Sequence, residues 1–177
     1  LIPRPETEAL INLIKPLKVQ NILDVGTGSG GGAITLALEM PRTEVDAIDI
    51  SPKALDIARK NAEKLGANVN YYQSDLLGNA GKYDAIVANL PYVDKNWDWL
   101  SPELDYEPDT ALYAEDEGLY LIKKLIDQAP SHLNHDGYLI LEADRSQHQK
   151  IASYASDYFD ILSNPNDQTL ALCLCLR

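Results

Sequence analysis

Cysteine is scarce in this chain, with two in 177 residues. Cys173 and Cys175 are too few for a disulfide scaffold, and no Cys-x-x-Cys pair or four-ligand set stands ready for zinc. Spaced by two on an apolar run, they share one face of a strand and read as a buried pair of thiols in a reducing compartment. Positive charge is scarce too. Lys plus Arg is 15 against 27 Asp plus Glu, a net charge of −12, and no basic run is longer than Arg59-Lys60 or Lys123-Lys124. Phosphates demand neutralising cations, so stable nucleic-acid binding is not expected. A signal-peptide pattern is missing, as is any apolar run near the ~20 residues of a membrane span. The expectation is a cytoplasmic protein without membrane association. His132 and His135 fall in a helix-to-strand connection beside Asp136-Gly137, and His148 reads as a helix-surface residue. No metal site is expected from them. Repeats, heptads and low-complexity stretches are absent, and no residue speaks to the oligomeric state.

The length suits one domain with a proper core, residues 1–177. The chain starts at Leu1 rather than Met and is read as a fragment of a longer protein. Leu10, Leu13, Ile14 and Leu17 recur at helical spacing after Pro5, Glu6 and Glu8, which is ordinary helix-start chemistry. A short β-rich run, Val19 to Val25, leads at once into Gly26-Thr27-Gly28-Ser29-Gly30-Gly31-Gly32 and a helical stretch from Ala33 to Met40. Glycines allow positive φ and let a ligand approach the backbone, so strand, glycine loop and helix mark a nucleotide site. Gly26, Gly28 and Gly31 also satisfy the GxGxxG spacing, and the loop alone does not choose the cofactor.

A second strand, Glu44 to Ile50, places Asp49 at its end, where a carboxylate can accept both hydroxyls of a ribose. Ser51 and Pro52 then start a helix that Gly66 stops. A third strand, Val69 to Gln73, precedes Asp75, which is read either as the acceptor for an adenine amino group or as a solvated loop carboxylate. Tyr83 to Ala88 is a fourth strand. From Val93 to Glu117 no periodicity appears, and Trp97 and Trp99 favour a binding loop over disorder. A helix over Gly118 to Ala129, a strand over Tyr138 to Ala143, a helix from Ser146 to Tyr158 and a terminal hairpin (Phe159 to Leu162, Thr169 to Leu176, joined at Asn164 to Asp167) complete the pattern. The alternation predicts a doubly wound α/β sheet, mostly parallel with an antiparallel C-terminal hairpin strand.

The organising stretch is Asn89-Leu90-Pro91-Tyr92, directly after the fourth strand, where open α/β sheets bind ligands. The Asn89 side-chain oxygen and the Leu90 carbonyl can both accept from one NH2 group, since Pro91 holds Leu90 extended. The flat ring of Tyr92 suits the wall of a planar group. Such a set holds a planar nitrogen for attack on a methyl group. Taken alone, the four residues read more readily as a plain turn made by Asn and Pro, and the context decides between the two readings.

Asp24 to Gly30, Asp49 and Asn89 to Tyr92, each after a strand, together resemble the Rossmann-like methyltransferases that use S-adenosylmethionine. Within that class, Leu1 to Glu8 (LIPRPETE) and Pro102 to Leu112 (PELDYEPDTAL) are similar to the catalytic domain of the peptide chain release factor glutamine methyltransferases. That family methylates the side-chain amide nitrogen of the Gln in the Gly-Gly-Gln loop of release factors. The resemblance implies that Gly26, Thr27, Gly28, Ser29 and Gly30 face the methionine part of the cofactor. It implies that Asp49 holds the ribose and that Asp75 with Leu76 flanks the adenine. Asn89, Leu90, Pro91 and Tyr92 would bind the substrate glutamine, with Asn89, Pro91 and Tyr92 as the catalytic set and Asn89 also near the cofactor. Arg4, Glu6 and Glu103 to Glu107 would border the entrance.

Three departures accompany the resemblance. Leu90 stands where the family has Pro, as in the rRNA adenine dimethyltransferases, so an adenine-N6 methyltransferase acting on RNA or DNA is the alternative. Gly31-Gly32 replace helix formers, at about 1 kcal/mol per Gly relative to Ala, and a looser cofactor loop is expected. Asp144 occupies a place where the family often has Gly. The family also carries a small helical domain ahead of LIPRPETE, which is not in this chain.

Overall fold

The computed structural model describes residues 5–94, 115–163 and 170–177, with side chains from residue 9 onward. Arg4, the side chain of Glu6, Trp97, Trp99, Glu103 to Glu107 and the turn Asn164 to Asp167 lie outside the described residues.

A seven-stranded sheet forms the centre. Its strands are β1 (Asn21–Val25), β2 (Glu44–Asp49), β3 (Asn70–Gln73), β4 (Tyr83–Ala88), β5 (Leu133–Glu142), β6 (Phe159–Ile161) and β7 (Ala171–Leu176). Helices α1 (Pro5–Ile14), α2 (Gly31–Glu39), α3 (Pro52–Leu65), α4 (Tyr120–His132) and α5 (Arg145–Ala155) cover it. The strand order is β3-β2-β1-β4-β5-β7-β6, with β7 antiparallel to both neighbours and the first five strands parallel. The expected doubly wound sheet with its antiparallel terminal strand is therefore present. Chain order reverses between β1 and β4, and that switch point opens the cleft at the carboxyl ends of the strands.

Strands covered on both faces must be mostly apolar on both, which is why Ile22, Leu23 and Val25 of β1 and Ala85 to Ala88 of β4 are hydrophobic. Leu23, Ile86, Leu139 and Leu172 face a cluster with Ile122, Leu125 and Ile126 of α4 and Ile151 of α5. Ile22, Ala85, Val87 and Ile140 face the opposite cluster, with Leu10, Ile11 and Ile14 of α1 and Ala33 and Leu36 of α2. The starting signals of α3 act as expected: Ser51 accepts from the Ala54 N–H, Pro52 opens the helix, and Gly66 ends it at φ 69°.

Other expectations are corrected. His148 is buried rather than on the surface of α5, and its Nε2 lies 3.2 Å from the Ala143 carbonyl oxygen. A carbonyl can only accept, so that nitrogen carries the proton. His132 and His135 do not share a connection, because α4 runs through Pro130 to His132 and β5 begins at the next residue. His132 Nδ1 donates to the Ala80 carbonyl at 3.0 Å, holding the helix end in place. The strand expected at Tyr138 starts at Leu133, and a register shift between Tyr83 and Ala85 absorbs the turn at Asp136. Cys173 is buried, whereas Cys175 is only partly so, because β7 loses cover toward its end. Among the described residues, no helix is long and apolar enough to cross a membrane.

Phe159 is fully buried where β6 meets the α4 and α5 layer. Phe159→Ala is expected to lower unfolding stability by about 3–5 kcal/mol, read from the midpoint of a urea transition at unchanged slope.

Candidate functional site

At the carboxyl end of β1 the backbone turns sharply. Gly26, Gly28 and Gly30 adopt φ of 72°, 56° and 87°, values that residues with a Cβ rarely take. The Gly26 and Thr27 N–H groups both donate to the Ile48 carbonyl, at 2.9 and 3.0 Å, which ties the loop to β2. Gly28 N–H donates to Asp49 Oδ2 at 2.8 Å, and Ser51 N–H donates to Asp49 Oδ1 at 2.8 Å. Both carboxylate oxygens keep lone pairs for a further donor. Ser29 is exposed, and its carbonyl accepts from Asn61 Nδ2 at 2.9 Å. Thr27 and Gly30 are buried.

Thr27 turns its hydroxyl inward to Asp24 Oδ2 at 2.7 Å, and the Ala33 N–H in the first turn of α2 donates to the same oxygen at 3.0 Å. Asp24 is buried at the end of β1. One carboxylate therefore joins the glycine loop to a helix N-terminus, where negative charge is favoured. The Gly31-Gly32 pair gains a packing reason here. A Cβ on Gly32 would lie 3.2 Å from Asp24 Oδ2, so a side chain there would crowd the carboxylate.

Along the same sheet edge, Asp49 is half-buried and its neighbour Ile50 is 64% exposed. An apolar side chain held in the open beside a ribose-type acceptor offers a face to a flat apolar ring. Gln73 Nε2 donates to the Ile50 carbonyl at 3.0 Å, and Ser74 N–H donates to the Asp49 carbonyl at 3.2 Å. Asp75 is exposed next to them, whereas Leu76, with φ of 46°, buries its side chain in the core.

Across the switch point, Asn89 follows β4 and is exposed. Neither its carboxamide nor the Leu90 carbonyl hydrogen-bonds to a described residue. Leu90 is buried, and a Cβ on Gly26 would come within 2.9 Å of its Cδ2, so the two halves of the cleft interlock side chain against glycine. Pro91 and Tyr92 are half-buried. Tyr92 donates its hydroxyl to Glu142 Oε1 at 3.1 Å, at the buried end of β5. Asp144 caps α5, accepting from Ser146 N–H at 2.9 Å, which accounts for a carboxylate at that position.

The structure thus gathers Gly26 to Gly30, Asp49, Asp75 and Asn89 to Tyr92 at one edge. Sequence reasoning missed Ile50, Glu142 and the bridging role of Asp24. Asp24 and Glu142 left a visible signal, a charge set inside or at the end of an apolar run. Among the described residues, no group of three His, Cys, Asp or Glu side chains is arranged to hold a metal.

Burial pushes the Asp24 carboxyl up from 3.8 to about 6, against the lowering effect of the Thr27 and Ala33 hydrogen bonds and with the help of the Asp49 charge. Because the folded value is the higher one, the stability contributed by this group is full below 3.8 and lost as the pH rises through about 6. Asp24→Asn does not titrate. Between pH 7 and pH 4 the wild-type chain is expected to gain on the order of 3 kcal/mol over this variant, the equivalent of about two pKa units, measured by urea unfolding at stepped pH.

Residues 5–99 match the family model described as methyltransferase small domain. A Lactococcus lactis protein named release factor glutamine methyltransferase is 41% identical over 165 residues, covering 90% of this chain and 61% of that protein. One of the same name from Koribacter versatilis is 44% identical over 151 residues, covering 80% of this chain and 54% of the other. The chain therefore spans a little over half the length of these curated relatives. Among solved structures, a ribosomal protein L11 methylase from Lactobacillus delbrueckii superposes with a TM-score of 0.70 at 27% identity, over 97% of this chain and 78% of its own. With more than half of its residues matched by the family model, and with the sheet order and cleft described above, the chain belongs to the methyltransferase small domain family.

Proposed function

We propose that this chain is the catalytic domain, residues 1–177, of an S-adenosylmethionine-dependent methyltransferase that modifies the side-chain amide nitrogen of the glutamine in the Gly-Gly-Gln motif of peptide chain release factors. The observation that carries this reading is Asn89, exposed and free of hydrogen bonds to the described residues, beside a Leu90 side chain seated on the glycine loop. The names of the Lactococcus and Koribacter relatives support the substrate. The family's small helical domain, ahead of the segment matching Leu1 to Glu8, would assist in docking the protein substrate.

The cleft fits the cofactor. Positive-φ glycines leave the backbone approachable, Asp49 retains acceptor capacity, and the exposed Ile50 offers an apolar face for the adenine. When bound, S-adenosylmethionine supplies a methyl group activated on a sulfonium. Gly26 to Gly30 would hold its methionine part, Asp49 its ribose, and Asp75 with the Leu76 backbone its adenine.

An amide nitrogen is a poor nucleophile because its lone pair is delocalised into the carbonyl, so orientation must supply much of the catalysis. The Asn89 oxygen and the Leu90 carbonyl accept its two N–H bonds and fix the direction of the nitrogen. As positive charge grows on that nitrogen, the same two acceptors stabilise it. Pro91 keeps Leu90 extended and brings no competing N–H. Asn89 cannot take the proton, and Glu142 is buried against Tyr92. The proton leaves to solvent.

The test is methyl transfer from labelled S-adenosylmethionine to a purified release factor, with ribosomal RNA in parallel. It is run with the 177-residue chain and with the longest natural polypeptide that contains it. Label on the Gly-Gly-Gln glutamine, located by mass spectrometry, is the expected result; label on RNA adenine would establish the alternative. Asn89→Ala should keep cofactor affinity while kcat falls about a hundredfold or more, the loss that follows removal of one preorganised charge-stabilising group. Asp49→Ala should weaken cofactor binding in calorimetry, and unchanged affinity would remove Asp49 from the site.

A further inference from the structure

Gln147 is a buried amide on α5, only 3% exposed, with both of its N–H donors and its carbonyl oxygen engaged. Its Oε1 accepts from the Asp144 N–H at 3.0 Å, completing the capping box of the helix. Its Nε2 donates to the Tyr92 carbonyl and to the Glu117 carbonyl, each at 2.9 Å. Those partners lie 55 and 30 residues away in sequence. One amide thus joins the end of the Asn89 to Tyr92 turn, the approach to α4 and the start of α5.

The packing around this amide is shaped for it. Gly118 has φ of 80°, and a Cβ there would lie 1.9 Å from the Tyr92 carbonyl oxygen and 2.6 Å from Gln147 Nε2. Only glycine lets the two segments close on the amide. Asn89, by contrast, has no hydrogen bond to a described residue, so the backbone on either side decides where its carboxamide points. On one side that backbone continues β4. On the other it is held by Leu90 against Gly26, by the Tyr92 hydroxyl on Glu142 and by Gln147 on the Tyr92 carbonyl.

We propose that Gln147 is a positioning residue for methyl transfer: one N–H of its Nε2 holds the Tyr92 carbonyl and the other ties it to the Glu117 carbonyl, which fixes the backbone of the Asn89 to Tyr92 turn and hence the aim of the nucleophile. This rests on the reading of that turn as the holder of the substrate nitrogen. Helix capping needs only Oε1, so the Nε2 donors are separable from the fold of α5.

Gln147→Glu makes the separation experimentally. The introduced carboxyl still accepts from the Asp144 N–H but turns an oxygen toward two carbonyls. With release factor as substrate, kcat is expected to fall about a hundredfold, the effect of roughly 1 Å of misplacement, with the Kd for S-adenosylmethionine unchanged. In the protein without cofactor, hydrogen exchange over residues 89–94 is expected to quicken. Among the described residues, the charged groups on the segments this amide joins are Asp144 and Arg145 at the start of α5, Glu117 with its partner Lys150, and Glu142, which holds the Tyr92 hydroxyl. Burial and the neighbouring carboxylates Asp144, Glu117 and Glu142 favour protonation, which restores one donor. The ratio of variant to wild-type kcat should therefore rise as the pH falls.

Gln147→Met, which keeps the bulk but has no donor, should show the same loss without recovery at low pH. It also stands in if the Glu variant does not fold. Unchanged kcat and exchange would overturn the proposal, as would equal losses of kcat, cofactor affinity and thermal stability with no pH dependence. Asn89→Ala is assayed beside them. Normal turnover there rejects the reading of the turn itself, whereas loss there with normal turnover in Gln147→Glu and Gln147→Met rejects only the role of Gln147.

Discussion

A single buried carboxylate organises the cleft. Asp24 ends β1 inside the sheet, where an ionised oxygen with no partner would be too costly to bury. Its partners are the Thr27 hydroxyl and the Ala33 N–H. Satisfying Asp24 requires the loop to turn back within three residues and α2 to start directly behind it. The positive φ values of Gly26, Gly28 and Gly30, and the absence of a side chain at Gly32, follow from that requirement. An open-backbone loop at a strand end is the consequence, and it is the loop proposed to hold the cofactor.

The second half of the site depends on the first through one contact. Leu90 packs its side chain against Gly26, so the turn after β4 takes its position from the loop after β1, its neighbour in the sheet. The farther end of that turn is held from the opposite direction, by Glu142 at the end of β5 and Gln147 on α5. Asn89 lies between these anchors with its amide free of hydrogen bonds to the described residues. An acceptor kept unoccupied by the packing around it is available to a substrate at no cost in broken internal bonds.

Much of this was legible in the residues. The runs from Tyr83 to Ala88 and from Glu44 to Ile50 located strands to within a residue, the first because a strand buried on both faces is mostly apolar and the second because Val45, Ala47 and Ile48 face the core. Ser51, Pro52 and Gly66 bounded α3 through local backbone chemistry alone. Errors arose where distant chain decided the outcome. His148 looked exposed because a single polar residue on a short amphipathic helix carries no mark of the Ala143 carbonyl it meets. The start of β5 was placed five residues late, since Asp136-Gly137 reads as a turn and the sheet absorbs that turn as a register shift. Cys175 seemed as buried as Cys173, because spacing gives the face of a strand but not how far its cover extends.

By itself the sequence determined the fold class, the strand ends proposed to carry chemistry and the family resemblance, since periodicity, glycine placement and motif spacing are local properties. Only the tertiary structure decided that Asp24 bridges loop and helix, that Leu90 locks onto Gly26, that Ile50 stands exposed and that Gln147 holds Tyr92. The Leu90–Gly26 and Gln147–Tyr92 contacts join groups brought together by chain reversals and sheet pairing. A hydrogen bond or a van der Waals contact acts over a few ångströms of space, whatever number of residues separates its partners.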